Sequence, residues 1–208
     1  MNKNQYYIYI SAFLTILIPT TGRFVYGFTL MLELFILMMV GTLIISLIEK
    51  LKIQEIESAL LLITLISTTI LYRQIITMAY AEISLVLGFL FYLPPISVFV
   101  INNITSNKNK NLKEKCITNA ITGGNAVFMG LLIFLIRDIA GYGTFTFFGK
   151  NHHIFEKVLF APEKLGIFSF LASTPGALIL AGLLLFIQIF IDSKVQIVKN
   201  VENQKWCF

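Results

Sequence analysis

The sequence predicts an all-α integral membrane protein of six transmembrane helices, arranged as two inverted three-helix repeats. Three observations predict it. Apolar residues fill 57% of the 208 positions. Charged residues fill only 13%, about half the roughly 25% usual in soluble domains. The charges also avoid six long stretches, each near the ~20 residues a helix needs to cross the hydrocarbon core. Six such helices use about 120 positions, which leaves short connections and no room for a soluble catalytic domain. A soluble enzyme and a disordered interaction segment are both excluded.

The first span, at about 5–22, carries no charge. Lys3 and the apolar run would also suit a secretory leader. No small-residue cleavage site follows, however, and Pro19-Thr20-Thr21-Gly22-Arg23 leads directly into the next span, so a retained helix is expected. The second span, 24–48, carries only Glu33, and the third, 56–76, overlies the stretch 58–81 whose only charge is Arg73. The fourth, fifth and sixth, at 83–102, 116–136 and 166–191, are free of charge. Amides have no water to bond in hydrocarbon, so all six should be helical. The whole chain reads as one membrane domain, with repeats at 5–76 and 83–191 and a tail at 192–208.

Orientation follows from basic residues. With six spans, one side holds ten of the 16: Lys3, Lys50, Lys52, Lys108, Lys110, Lys113, Lys115, Lys194, Lys199 and Lys205. The other holds Arg23, Arg73, Arg137, Lys150, Lys157 and Lys164. The positive-inside rule then places both termini in the cytoplasm. The formal net charge of +5 serves this topology and attraction to anionic lipid. No basic patch with interleaved aromatics stands apart from the spans, so nucleic acid is not an expected partner.

Several residues break the apolar pattern. Pro19 interrupts the first span and Pro94-Pro95 the fourth, and a proline removes a backbone donor. These two spans open the two halves, and inverted repeats with broken helices often build sites at mid-depth; ordinary kinks are the alternative. Glu33 lies near the middle of the second span, where an ionised carboxylate costs several kcal/mol. It reads as a residue of proton or cation passage, or as a neutral or paired acid joining helices. Asn102 and Asn103 end the fourth span as caps or cross-links. Arg137-Asp138 ends the fifth, where snorkelling suits an anchoring pair.

The connection 137–165 is the one long link. Its uncharged part, 139–149, is too short to span and fits a re-entrant or interface-hugging turn. His152-His153 lacks a third nearby ligand and reads as solvated. Pro175-Gly176-Ala177, with Gly182 following, lets the sixth span approach a neighbour closely. Cys116 and Cys207 make no disulfide framework. No Walker loop, dinucleotide fingerprint, CxxC pair or nucleophile elbow occurs, so no catalytic residues are assigned.

The run Leu135-Ile136-Arg137-Asp138-Ile139-Ala140-Gly141-Tyr142-Gly143-Thr144-Phe145 resembles the Arg-Glu-hydrophobic-hydrophobic-Gly-x-Gly-Thr stretch of Rnf/Nqr membrane subunits. Ser173-Thr174-Pro175-Gly176-Ala177 is similar to the Pro-Pro-Gly-Ala-Phe opening of that family's sixth helix, and Ser46-Leu47-Ile48-Glu49-Lys50 to its Ser-Leu-Ile-Arg-Lys. The resemblance implies a six-helix subunit of a complex that passes electrons between NADH or ferredoxin and flavin-bearing partners, coupled to Na⁺ or H⁺ movement. It also implies pairing with a homologous sister subunit of opposite topology in the bacterial cytoplasmic membrane. Cytoplasmic termini match the branch related to the D subunit of Nqr and the E subunit of Rnf. Family members place one cysteine in each of the first and fourth helices to hold a [2Fe–2S] centre. The corresponding windows here, Ile16-Leu17-Ile18 and Val100-Ile101-Asn102-Asn103, hold none. The cluster is therefore expected to be absent, no cofactor is expected on this chain alone, and flavins belong to its partners.

Two rivals remain open on the sequence. Six spans in this length also fit the substrate-binding subunit of a vitamin importer, although Ala12 is followed four residues later by Ile16 rather than a second alanine. A scaffold subunit without redox work is the other.

Overall fold

The structure, a computed structural model, describes residues 14–51, 55–105, 112–149, 153–160, 166–183, 186 and 190. Residues 14–17 form α1, followed by α2 (Phe24–Leu51), α3 (Glu57–Ala79), α4 (Ala81–Leu87), a 3-10 stretch (Gly88–Tyr92), α5 (Leu93–Thr105) and α6 (Leu112–Arg137). A π turn at Asp138–Tyr142, strands β1 (Thr144–Phe148) and β2 (Ile154–Val158), a 3-10 helix at Gly166–Ala172 and α7 (Thr174–Leu183) follow.

Four helical segments are long and apolar enough to cross a membrane: Phe24–Leu51, Glu57–Ala79, Ala81–Ile101 and Lys113–Tyr142. The expectation was six. Of the first expected span, 5–13 lies outside the described residues; of the sixth, the described α7 stops at Leu183. The tail 192–208, with Cys207, and His152 also lie outside the described residues.

α2 is apolar on nearly every side, as befits a helix surrounded by others. It packs antiparallel to α6 in a regular register: Gly27 meets Phe134, Met38 meets Gly123, and Asn119 Nδ2 donates to Thr42 Oγ1 at 2.8 Å. The register ends at a Lys115–Glu49 ion pair of 2.6 Å. By contrast α3 buries only a narrow stripe, Leu61, Leu65 and Thr69, one residue per turn. Its other faces show Leu62, Ile63, Leu71, Ile75 and Met78, as a lipid-facing helix does.

Close approach at the α2–α6 crossing depends on glycine. A Cβ on Gly27 would lie 2.1–2.5 Å from three atoms of the fully buried Phe134 ring. Gly27→Ala is therefore expected to destabilise by about 1–3 kcal/mol, with partial recovery in Gly27→Ala/Phe134→Leu, read from thermal unfolding in detergent. Gly123 meets only the flexible end of Met38, so Gly123→Ala should cost less.

The fourth expected span is broken, but not at its prolines. Gly88 adopts φ 46°, a backbone state that favours glycine, and the chain runs as a 3-10 turn to Tyr92. Pro94 has no N–H for the Leu90 carbonyl, and Leu93 N–H takes that carbonyl instead. Pro94 and Pro95 then sit in the first turn of α5, where a missing donor costs nothing. Pro19 likewise marks the end of α1 rather than a break within it.

The all-α expectation is corrected at 144–158. The expected re-entrant turn is a π turn followed by an antiparallel hairpin, with Thr144 opposite Val158 and Phe148 opposite Ile154. Thr144-Phe145-Thr146-Phe147 alternates β-branched with aromatic residues, the period-2 signal of a strand. The hairpin covers one end of the bundle, where Phe145 stacks on Phe24 at 5.6 Å and Phe148 meets Tyr80 at 5.0 Å between centroids.

Candidate functional site

Two polar constellations are buried in this apolar chain. The first lies at the hairpin end. α1 and α2 meet there through the turn 18–23, which leaves carbonyls free at the end of one helix and amides free at the start of the other. Arg137 closes the first set. Its Nη1 donates to the carbonyls of Leu17 and Thr20, each at 3.1 Å. Its Nη2 donates to Ala172 O at 3.1 Å and its Nε to Leu171 O at 3.4 Å, at the end of the Gly166–Ala172 helix. One guanidinium thus caps two helix C-termini, the ends that favour a cation.

Asp138 serves the opposite kind of end. Its Oδ2 accepts from Phe24 N at 3.2 Å, at the start of α2, and from Thr146 N and Oγ1 at 2.8 and 2.7 Å. Its Oδ1 accepts from Thr144 Oγ1 at 3.1 Å. A carboxylate at a helix N-terminus is favoured by the exposed amides and the helix dipole. The expected snorkelling pair is corrected: Arg137 is 1% exposed and Asp138 fully buried, because both side chains turn inward to main-chain partners.

Four glycines make this tie possible. A Cβ on Gly22 would sit 3.2 Å from Arg137 Nε, and one on Gly141 would be 2.7 Å from Ala172 N. Gly143 ends the π turn in a left-handed conformation, φ 68°. On the facing segment Ser173 caps α7, its Oγ accepting from Gly176 N at 3.4 Å, and Pro175 occupies the first turn. A Cβ on Gly176 would meet Phe170 O at 2.2 Å. Arg137, Asp138, Gly141, Gly143, Pro175 and Gly176 therefore converge on one junction.

The second constellation surrounds Glu33. At ~1.5 Å per residue Glu33 lies about 14 Å below the Phe24 end of α2, and Thr69 about 15 Å below the Ala79 end of α3. That is mid-depth in a ~30 Å core. Both residues are fully buried. Thr69 Oγ1 faces the carboxyl, close enough to interact but outside hydrogen-bond geometry. One turn nearer the hairpin, Tyr72 donates its hydroxyl to Thr29 O at 2.9 Å and sets its ring edge-on to Phe91 at 6.2 Å. Tyr72 thereby ties the Glu33 site to the broken segment Gly88–Tyr92.

Of the other sequence candidates, Pro19 is exposed beside the Arg137 junction. Asn102 and Asn103 are helical within α5, with side chains outside the described residues. Pro19 is not brought to Glu33 by any described contact. Thr69 and Tyr72 escaped the sequence reading; their signal is a one-turn spacing on α3 that puts both on the face toward α2.

The residues do not fit an iron–sulfur centre. Ile16 and Leu17 are fully buried hydrocarbon and Ile101 is 3% exposed. A side-chain link between the first and fourth spans is a hydroxyl pair, Thr15 Oγ1 to Ser97 Oγ at 2.8 Å. Such clusters need thiolates. Among the described residues no three His, Cys, Asp or Glu side chains gather to hold a metal ion. No protein-family model matches the chain, and no curated protein matches it.

Proposed function

We propose that this chain is a membrane subunit of an electron-transport complex similar to Rnf and Nqr, coupling electron transfer to Na⁺ or H⁺ translocation. The observation that carries the reading is the junction just described. The residues through which the chain resembles that family, Arg137, Asp138, Gly141, Gly143 and Ser173–Ala177, are far apart in sequence and pack into one buried tie. The role is structural and coupling rather than electron-carrying, because the chain offers no thiolate set for a cluster. Electrons pass through flavin-bearing, NADH- or ferredoxin-linked partners, beside a homologous six-helix sister subunit.

The arrangement sits in a bacterial cytoplasmic membrane with both termini inside, so Glu49 and Lys115 face the cytoplasm and the hairpin faces outward. There Phe155, Val158, Leu159 and Phe160 are exposed beyond the helices, a surface suited to a neighbouring subunit.

The test is native purification from membranes on a tag carried by this chain, with flavin and iron analysis. Co-purifying flavoproteins and a second six-helix subunit are expected. A chain recovered intact without any redox partner would overturn the reading, and nanomolar vitamin binding by the isolated chain would replace it with the importer.

A further inference from the structure

We propose that Glu33 is an intramembrane proton-binding site: it is held as the neutral acid, and its proton exchanges with water. The inference concerns this chain's own residues and stands whether or not its partners carry flavin.

A carboxyl buried to tie helices together donates its O–H or accepts from a neighbour, since an unpaired buried polar group is costly. Among the described residues neither oxygen of Glu33 has a hydrogen-bond partner. Thr69 shows the same feature. Other hydroxyls on α3 bond back to carbonyls one turn earlier, Thr64 to Leu60, Ser67 to Ile63, Thr68 to Thr64 and Thr77 to Arg73, at 2.7–2.9 Å. Thr69 Oγ1 makes no such bond and is turned to the carboxyl instead. Two fully buried polar side chains from different helices thus face one another with bonding capacity unspent.

An ionised carboxylate without donors at this depth costs several kcal/mol, so the resting form is the acid. Proton release breaks its O–H bond toward a water and leaves the carboxylate, which the Thr69 hydroxyl faces, while the Tyr72 hydroxyl is already given to Thr29 O. Among the described residues Tyr72 is the titratable neighbour of Glu33. Its hydroxyl bonds Thr29 O one turn nearer the hairpin, and its ring rests edge-on against Phe91. The chain break at Gly88–Tyr92 begins about 11 Å below the Ala81 end of α4, within a turn or so of the depth of Glu33. A site of this kind takes a proton; among the described residues it has too few oxygens aimed inward to replace the hydration shell of Na⁺.

Infrared difference spectra between the native complex and its Glu33→Gln variant test this. A carboxylic C=O band present only in the native protein and moved to lower frequency in D₂O is expected. Absence of the band, or a band unmoved by D₂O, overturns the proposal. Exchanging K⁺ for Na⁺ should leave the band intact, and its loss in Na⁺ would overturn the proton in favour of the cation. Glu33→Asp should move the band rather than abolish it, which separates loss of the acid from loss of the fold. Flavin content of the same preparation reports separately on the redox reading.

Discussion

Arg137→Met is expected to cause the largest loss of stability of any substitution at the hairpin end of the bundle. Methionine matches the stem but supplies no donor, so the carbonyls of Leu17, Thr20, Leu171 and Ala172 lose their shared partner. A buried carbonyl left without its donor typically costs ~1–3 kcal/mol, and here four lose theirs together. Arg137→Lys keeps the charge and should recover only part of the loss, because one ammonium cannot spread over two helix ends as a planar fork does. Denaturant titration of the solubilised protein measures both. Equal stability of the Met variant and the native chain would show that water replaces the guanidinium, and that the junction does not depend on it.

Asp138→Ala should come close in size but differ in where it acts. The carboxylate fastens the hairpin to the start of α2, so its loss should release 144–158 before the helices separate. Hydrogen exchange at the Thr146 amide, bonded to Asp138 at 2.8 Å, reports this directly and should quicken strongly. The global cost is expected to be ~3 kcal/mol, at the upper end for hydrogen bonds to a charged group. Asp138→Asn should be milder. Its amide oxygen can still accept from Thr146, and the Thr144 hydroxyl can rotate to accept from the new NH₂. Only the charge assistance disappears, a loss of about 1–2 kcal/mol. If Asn proves as damaging as Ala, charge rather than hydrogen-bond geometry holds the hairpin.

These two residues also show what could be read in advance. Their place at a helix end, and the glycines after them, were visible in the sequence. Their burial was not. An Arg-Asp pair at the end of an apolar run is ordinarily an interfacial anchor, and the carbonyls that draw Arg137 inward belong to residues more than thirty positions away. Main-chain carbonyls have no sequence signature, since every residue carries one. Glu33 was conspicuous as a lone charge among apolar residues, whereas Thr69 and Tyr72 were ordinary members of a polar-dotted helix until packing turned them toward it. The hairpin was legible in principle, from alternation of Thr and Phe, but the surrounding apolar context favoured a membrane-embedded turn.

Charge-free length is what decided the helices, because hydrocarbon offers no partner for an amide and leaves a long apolar segment little choice but to satisfy itself locally. That rule places Phe24–Leu51, Glu57–Ala79 and Leu112–Arg137 within a few residues of where the charges predict them. Everything that distinguishes this chain from another helical bundle arose from contacts between distant segments: the break at Gly88 instead of Pro94, the guanidinium shared by two helix ends, and the orphan acid facing Thr69. Such features depend on which backbone groups remain unpaired once the helices pack, and only the assembled tertiary arrangement determines that.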